Sequence, residues 1–254
     1  MELVSETIPP ALTTFFAAHP RLALAFSGGC DSTFLLWCGL SCGADVRAYL
    51  LRTPFESRTD LNGAVDTALT LGANLTILPE NLLDRPAISA NQPDRCYHCK
   101  TVLFTRLRSV AALDDRTILI DGTNASDDPV LRPGMRALAE LGVISPLRDA
   151  GLTKKEIRQR SQNAGLPTWD MPSNSCLATR IPTGTPLTAA DLARTERAEA
   201  AIAALGLKNF RVRLRDGVAL IQTQPEQDTL LAKLKPRITE LLAADYRSVT
   251  YGYR

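Results

Sequence analysis

No apolar run in this chain approaches the ~18 residues that a membrane-crossing helix needs. The first residues, Met1-Glu2-Leu3-Val4-Ser5-Glu6, are acidic and lack the apolar core of a secretory leader. A cytoplasmic protein is therefore expected. Excess charge is lacking too. Lysine and arginine number 29 against 27 aspartates and glutamates, a net charge of +2, which gives no electrostatic case for a nucleic-acid partner. There is no internal repeat, no low-complexity tract, no GxxxxGKS/T phosphate loop and no second CxxC pair. What is present is ordinary for a soluble globular chain: 254 residues, 45% hydrophobic and 22% charged, enough for one large domain or two small ones.

The chain is organised around Ser27-Gly28-Gly29-Cys30-Asp31-Ser32. An apolar run, Leu22-Ala23-Leu24-Ala25-Phe26, precedes it, and another, Thr33-Phe34-Leu35-Leu36-Trp37, follows. That is the layout of strand, glycine loop and helix. Adjacent glycines let the backbone approach a ligand closely and turn its amides inward. Two serine hydroxyls and a helix N-terminus add donors at the same spot. Converging donors suit a polyanion such as pyrophosphate. Asp31 does not suit a phosphate, so Mg²⁺ binding or loop orientation is its expected task. An ordinary glycine-rich turn is the plain alternative.

Hydrophobic periodicity predicts a helix over 5–19, with Leu3, Leu12, Phe15 and Phe16 on one face and His19-Pro20 ending it. Strands follow at 22–26, 46–51 and 74–78, with helices to about residue 42 and over 61–72. This repeated βα unit argues a parallel sheet with helices on both faces, whose ligands gather at the strands' carboxyl ends. A helix is expected from about 101 to 113, a strand at 117–120, a turn at Arg132-Pro133-Gly134 and a short last strand at 144–147. The polar tract Asp121-Gly122-Thr123-Asn124-Ala125-Ser126-Asp127-Asp128 belongs in the same cleft as the loop, with Asp127 and Asp128 as candidate metal or base groups or, equally, solvated loop acids. Thr153-Lys154-Lys155-Glu156 reads as a capping box opening a helix to about 164.

Residues 166–187, including Pro172-Ser173-Asn174-Ser175-Cys176, form a long aperiodic segment of the kind that is functional or a linker. A second unit follows: a helix over 187–205, strands at 210–214 and 218–223 around an Arg215-Asp216-Gly217 hairpin turn, a helix over 225–243 opened by proline, and a strand at 246–251. The expectation is thus an α/β fold: a parallel-sheet domain over 1–170, a functional loop or linker at 171–187, and a small α+β domain over 188–254.

Six cysteines in a long chain of cytoplasmic character point to thiols, metal ligands or reactive groups rather than disulfides. Cys38 and Cys42 share a helix face and read as buried packing residues. Cys96-x-x-Cys99 alone fits a redox pair, half a zinc site or an iron–sulfur ligand pair. Cys176 is the plausible third partner, and three thiolates would fit three corners of a 4Fe–4S cluster.

The Ser27–Ser32 loop resembles that of the PP-loop ATP pyrophosphatases, which split ATP into AMP and pyrophosphate. Together with Arg95-Cys96-Tyr97-His98-Cys99-Lys100, Asp121-Gly122-Thr123-Asn124, Arg132-Pro133-Gly134 and Ser175-Cys176-Leu177-Ala178-Thr179-Arg180, it resembles the LarE family of ATP-dependent sulfur transferases. The resemblance runs along nearly the whole chain. It implies a PP-loop domain with a C-terminal domain for oligomerisation and substrate phosphate, a homo-oligomer, and a small-molecule substrate, pyridinium-3,5-biscarboxylic acid mononucleotide. A carboxylate of that nucleotide would be adenylated and converted to a thiocarboxylate for nickel-pincer cofactor synthesis.

MgATP would lie on Ser27, Gly28, Gly29, Asp31, Ser32, Lys100, Gly122 and Thr123, with Asp31 and Cys176 as the catalytic pair. Cys96, Cys99 and Cys176 would hold the cluster that carries the donated sulfide; members with the last cysteine alone give up its own sulfur. Arg211 and Arg213 would grip the nucleotide phosphate, since residues two apart in a strand share a face. The family often has arginine and glutamate where Leu220 and Gln222 stand, so an acidic role is not expected there. A tRNA thiolase and a non-catalytic nucleotide-binding protein are the rival readings.

Overall fold

The computed structural model describes residues 7–130, 132–172 and 175–254. Leu3, Ser173 and Asn174, named above, lie outside them. The chain divides into two compact units, one made of 1–53, 58–81 and 96–174, the other of 54–57, 82–95 and 175–254.

The first unit is the parallel α/β layer. Its elements are α1 (Pro10–Ala18), β1 (Arg21–Phe26), α2 (Cys30–Ser41), β2 (Asp45–Arg52), α3 (Arg58–Thr70), β3 (Asn74–Pro79), α5 (Arg95–Leu113), β4 (Leu119–Ile120), α6 (Gly134–Glu140), α7 (Pro146–Asp149) and α8 (Lys154–Asn163). A short helix of the other unit, α4 (Pro86–Ser89), intervenes in sequence. The strands run in the order β3-β2-β1-β4 and all pair in parallel. Leu22, Leu24, Phe26, Val46, Ala48 and Leu50 bury one continuous apolar layer with Phe34, Leu35 and Leu36 of α2. Unbroken apolar strands of this kind belong to sheets covered on both faces.

This strand order places the site. The chain moves outward from β1 through β2 to β3, then returns to β4 on the other side of β1. The reversal opens a crevice between the carboxyl ends of β1 and β4, where such sheets bind ligands. The glycine loop follows β1 and the Asp121–Asp128 tract follows β4, so both border that crevice.

Several boundaries differ from the sequence expectation. Helix α1 runs from Pro10, since consecutive prolines are accommodated at a helix start; residues 5 and 6 of the expected helix lie outside the described residues. Helix α5 opens at Arg95 rather than 101, which puts Cys96 and Cys99 in its first turn. Low helix propensity of Cys, Tyr and His concealed that turn. The strand expected at 144–147 reduces to one bridge between Ile144 and Ile120, and Pro146 starts a helical turn instead. Gly134 opens a helix where a turn is expected. The capping box at Thr153 and Glu156 is present in full.

The second unit holds a three-stranded sheet, β5 (Arg211–Arg215), β6 (Val218–Thr223) and β7 (Ser248–Tyr253), with helices α9 (Ala189–Ala204) and α10 (Asp228–Leu242). β5 and β6 are antiparallel across a two-residue turn. Asp216 and Gly217 both take positive φ, 49° and 76°, as a type I′ hairpin requires. β7 adds in parallel to β6, two residues later than the sequence expectation. Asn91 and the loop before α9 also belong here. Its amide donates to the Pro182 and Thr185 carbonyls at 2.8 and 2.9 Å, holding the proline-bearing segment in place.

Candidate functional site

In the first unit the loop is built tightly. Gly28 has φ +73°, and a Cβ there would lie 2.4 Å from Ala64 Cβ on α3, so only glycine fits. Ser27 Oγ and Ser32 Oγ stand 3.0 Å apart, the Ser27 amide donates to Ser32 Oγ at 3.3 Å, and Ser32 Oγ reaches the Gly29 carbonyl at 3.2 Å. The loop is thus braced on itself. Helix α2 then begins at Cys30, directing its N-terminal partial charge at the loop.

Gly122, at the end of β4, packs on that same turn. A Cβ on it would meet the Ser32 amide nitrogen at 2.9 Å. Next to it, Asp121 is buried and accepts from Thr123 Oγ1 at 2.5 Å and Ser145 Oγ at 2.7 Å. Asp127 is buried as well. It accepts from the Asn124 amide at 3.0 Å and pairs with Arg132 at 2.9 Å. Asp128 accepts from the Val130 amide at 2.8 Å. These two acids therefore shape their own loop.

Asp31 has a partner that sequence reasoning missed. Lys154 Nζ donates to both of its carboxylate oxygens, at 2.8 and 2.7 Å, and each side chain remains about a quarter exposed, 25% for Asp31 and 27% for Lys154. The pair bridges 123 residues of sequence. Only the capping box at Thr153 marked the helix that presents the lysine. Cys30, beside Asp31, is buried against Ser161 of α8 at 3.7 Å, and burial pushes its thiol pKa up. It is a packing residue, as are Cys38 and Cys42, whose thiols burial raises in the same way.

Cys96 and Cys99 occupy one face of the first turn of α5, half-buried, with Lys100 following. Two thiols one turn apart suit joint ligation of a soft metal. Lys100 Nζ lies 4.8 Å from the Phe104 ring centre. A Cβ at Gly134 would meet Lys100 Cγ at 2.9 Å, so the glycine of Arg132-Pro133-Gly134 is what lets α6 approach α5.

The second unit gathers arginines. Arg211 and Arg213 stand half-buried on one face of β5, while Val212 and Leu214 bury the other. Arg213 donates through Nε to Gln222 Oε1 and through Nη1 to the Thr179 carbonyl at 2.7 Å. Gln222, where an acid would be common, therefore orients Arg213 without neutralising it. Arg180 is 2% exposed in its side chain and pairs with Glu199 at 2.8 Å. Glu199 also accepts from the Val212 amide at 2.9 Å. Arg180 further donates to the Ser175 carbonyl and hydroxyl at 2.8 and 2.9 Å. It thereby fixes the residue before Cys176, which itself caps the 3₁₀ turn Leu177–Arg180.

Burial, followed by the neighbouring Arg254, Arg180 and Arg213 charges, holds the Arg211 pKa down at about 10. Burial and the same kind of crowding lower that of Arg213. An open cleft of about 290 Å³ is lined by Arg180, Pro182, Thr185, Arg213, Leu214, Arg215 and Asp216. Concentrated positive charge with few counter-ions is a site for an anion.

Fold and site together define the class: a Rossmann-like α/β protein with a serine–glycine loop at the switch point of its parallel sheet, joined to a small α+β unit. No family model matches the chain. Three relatives do. The pyridinium-3,5-bisthiocarboxylic acid mononucleotide synthase of Lactiplantibacillus plantarum is 32% identical over 204 residues, 80% of this chain and 74% of that one. An uncharacterized protein of Synechocystis is 36% identical over 85% of this chain and 81% of its own length. Another, of Methanocaldococcus jannaschii, is 30% identical over 84% and 81%. The chain belongs to the LarE family, that of the pyridinium-3,5-bisthiocarboxylic acid mononucleotide synthases.

Proposed function

We propose that this enzyme uses MgATP to adenylate a carboxylate of pyridinium-3,5-biscarboxylic acid mononucleotide and then replaces an oxygen of that carboxylate with sulfur. The observation carrying the reading is the loop of Gly28, Ser27 and Ser32 set at the β1/β4 switch point, together with membership of a family named for the bisthiocarboxylic product.

In this reading the loop amides and the Ser27 and Ser32 hydroxyls take the phosphates, while Asp31 and Lys100 supply charges of opposite sign for Mg²⁺ and phosphate. A substrate carboxylate oxygen attacks the α-phosphorus, and the bond to the β-phosphate oxygen breaks as pyrophosphate leaves. Sulfur then adds to the acyl carbon and AMP departs. Activation is needed because a carboxylate oxygen is a poor leaving group, whereas sulfur is nucleophilic at neutral pH. Cys96, Cys99 and Cys176 would hold a 4Fe–4S cluster, which when bound supplies an exchangeable sulfide. The partner is a small molecule rather than nucleic acid, and the enzyme acts as a homo-oligomer in the cytoplasm.

Arg211 and Arg213 hold the nucleotide phosphate. Replacing both with alanine is expected to raise KM for the nucleotide by roughly tenfold or more per arginine, because a charge-assisted bond contributes about 1.5–3 kcal/mol. ATP affinity should stay nearly constant. Steady-state kinetics in each substrate reads the difference; if both constants move together, the arginines shape the fold instead. The pH dependence has a definite sign. Phosphate needs the charged guanidinium, and the Arg211 pKa is lowered to about 10, so affinity should fall as pH rises through that value.

Pyrophosphate release from ATP, with and without the biscarboxylate nucleotide or tRNA, tests the function as a whole. Stimulation by the nucleotide alone supports it. Stimulation by tRNA alone makes the enzyme an RNA thiolase, and no release at all leaves a nucleotide-binding protein.

A further inference from the structure

We propose that Lys154 is a second cation of the nucleotide site beside Lys100: it holds Asp31 while the site is empty and moves to the phosphates of ATP when Asp31 turns to Mg²⁺. The inference rests on the reading of Ser27–Ser32 as an ATP loop and adds a residue and an order of events to it.

Three contacts build Lys154 into the site. Its ammonium bonds both oxygens of Asp31, at 2.8 and 2.7 Å. Its amide donates to Ser126 Oγ at 3.0 Å, which ties it to the tract after β4. Its position at the start of α8 is fixed by the Thr153–Glu156 capping box, with Glu156 Oε2 accepting from the Thr153 amide at 2.9 Å. The lysine therefore bridges the two segments that border the switch-point crevice. A partly exposed ion pair contributes little on its own, so exchanging its partners costs little free energy. The side chain has four rotatable carbons and a compact charge, which suits a group that must change partners.

Charge balance gives the device its consequence. Before nucleotide arrives, the ammonium occupies the carboxylate that Mg²⁺ needs, so the bare ion is disfavoured. MgATP brings anionic phosphates that take the ammonium and release Asp31 to the metal. Metal and nucleotide then enter together, and loss of Lys154 should have opposite effects on the two.

The test uses the full-length protein and Mn²⁺ in place of Mg²⁺, with bound ion counted by electron paramagnetic resonance and nucleotide binding by calorimetry. Lys154→Met is expected to bind Mn²⁺ alone roughly tenfold more tightly than wild type and Mn·ATP roughly tenfold more weakly, the size expected for one charge-assisted bond. Lys154→Arg should restore both toward wild type. Asp31→Asn is the control for the loop. If Asp31→Asn weakens Mn·ATP binding while Lys154→Met leaves it unchanged, the lysine is structural and the inference falls alone. If neither variant alters Mn·ATP binding, the loop reading falls with it. A uniform loss of both affinities in Lys154→Met, unrescued by arginine, also overturns the proposal, since a general distortion does not produce opposite signs.

Discussion

Asp31→Asn is expected to leave the enzyme folded and to cut pyrophosphate release on the order of 10²-fold or more, the scale of removing one electrostatic contact from a charged transition state. The substitution keeps the shape of the side chain and removes its charge. Stability should change little, because the Asp31–Lys154 pair is partly exposed and such pairs contribute roughly 0–1 kcal/mol. A urea titration and a pyrophosphate assay on the same preparation separate the two effects. Near-normal pyrophosphate release would refute the place given to Asp31. A collapse of stability would mean that the acid is there to hold α8 to the loop.

The cysteines carry the second large effect. Cys176→Ala should abolish thiocarboxylate formation while pyrophosphate release continues, because adenylation precedes sulfur transfer and needs no thiol. Cys96→Ala divides the two ways of delivering sulfur. Where Cys96, Cys99 and Cys176 hold iron, two remaining thiolates cannot keep the cluster firmly, and Cys96→Ala should lose both its iron and its turnover. The wild-type enzyme, prepared without oxygen and fed sulfide, should turn over repeatedly with unchanged protein mass. Where Cys176 gives up its own sulfur, the protein should become lighter by one H₂S per turnover, and Cys96→Ala should remain active once. The cluster is favoured because a sacrificed Cys176 leaves the paired thiols of the α5 first turn without a task. Dehydroalanine at position 176 after turnover of anaerobic protein would overturn that choice.

How far the sequence reaches is clear from particular elements. Strands β1, β2 and β3 and the loop between β1 and α2 were legible within a residue or two, because buried parallel strands read as unbroken apolar runs and Gly28 is demanded by its backbone angle. The capping box at Thr153 was legible because its chemistry is local. The first turn of α5 was not, since residues of modest helix propensity are helical there through tertiary context. Nor was helix α6, whose Gly134 start reflects close packing on Lys100 rather than a turn. The pairs that organise the two units, Asp31 with Lys154 and Arg180 with Glu199, join distant segments, and no local pattern announces them. The task of Arg180 follows only from its bonds to both carboxylate oxygens of Glu199 and to the carbonyl and hydroxyl of Ser175.

The most direct measurement is the mass of the nucleotide product. Enzyme purified without oxygen is incubated with MgATP, sulfide and pyridinium-3,5-biscarboxylic acid mononucleotide, and the small molecules are separated and weighed by mass spectrometry. The expected product is heavier than the substrate by the difference between sulfur and oxygen for each carboxylate converted, with AMP and pyrophosphate formed in equal amount. An unchanged nucleotide beside consumed ATP, or a sulfur-bearing product formed without ATP, would contradict adenylation-driven sulfur transfer.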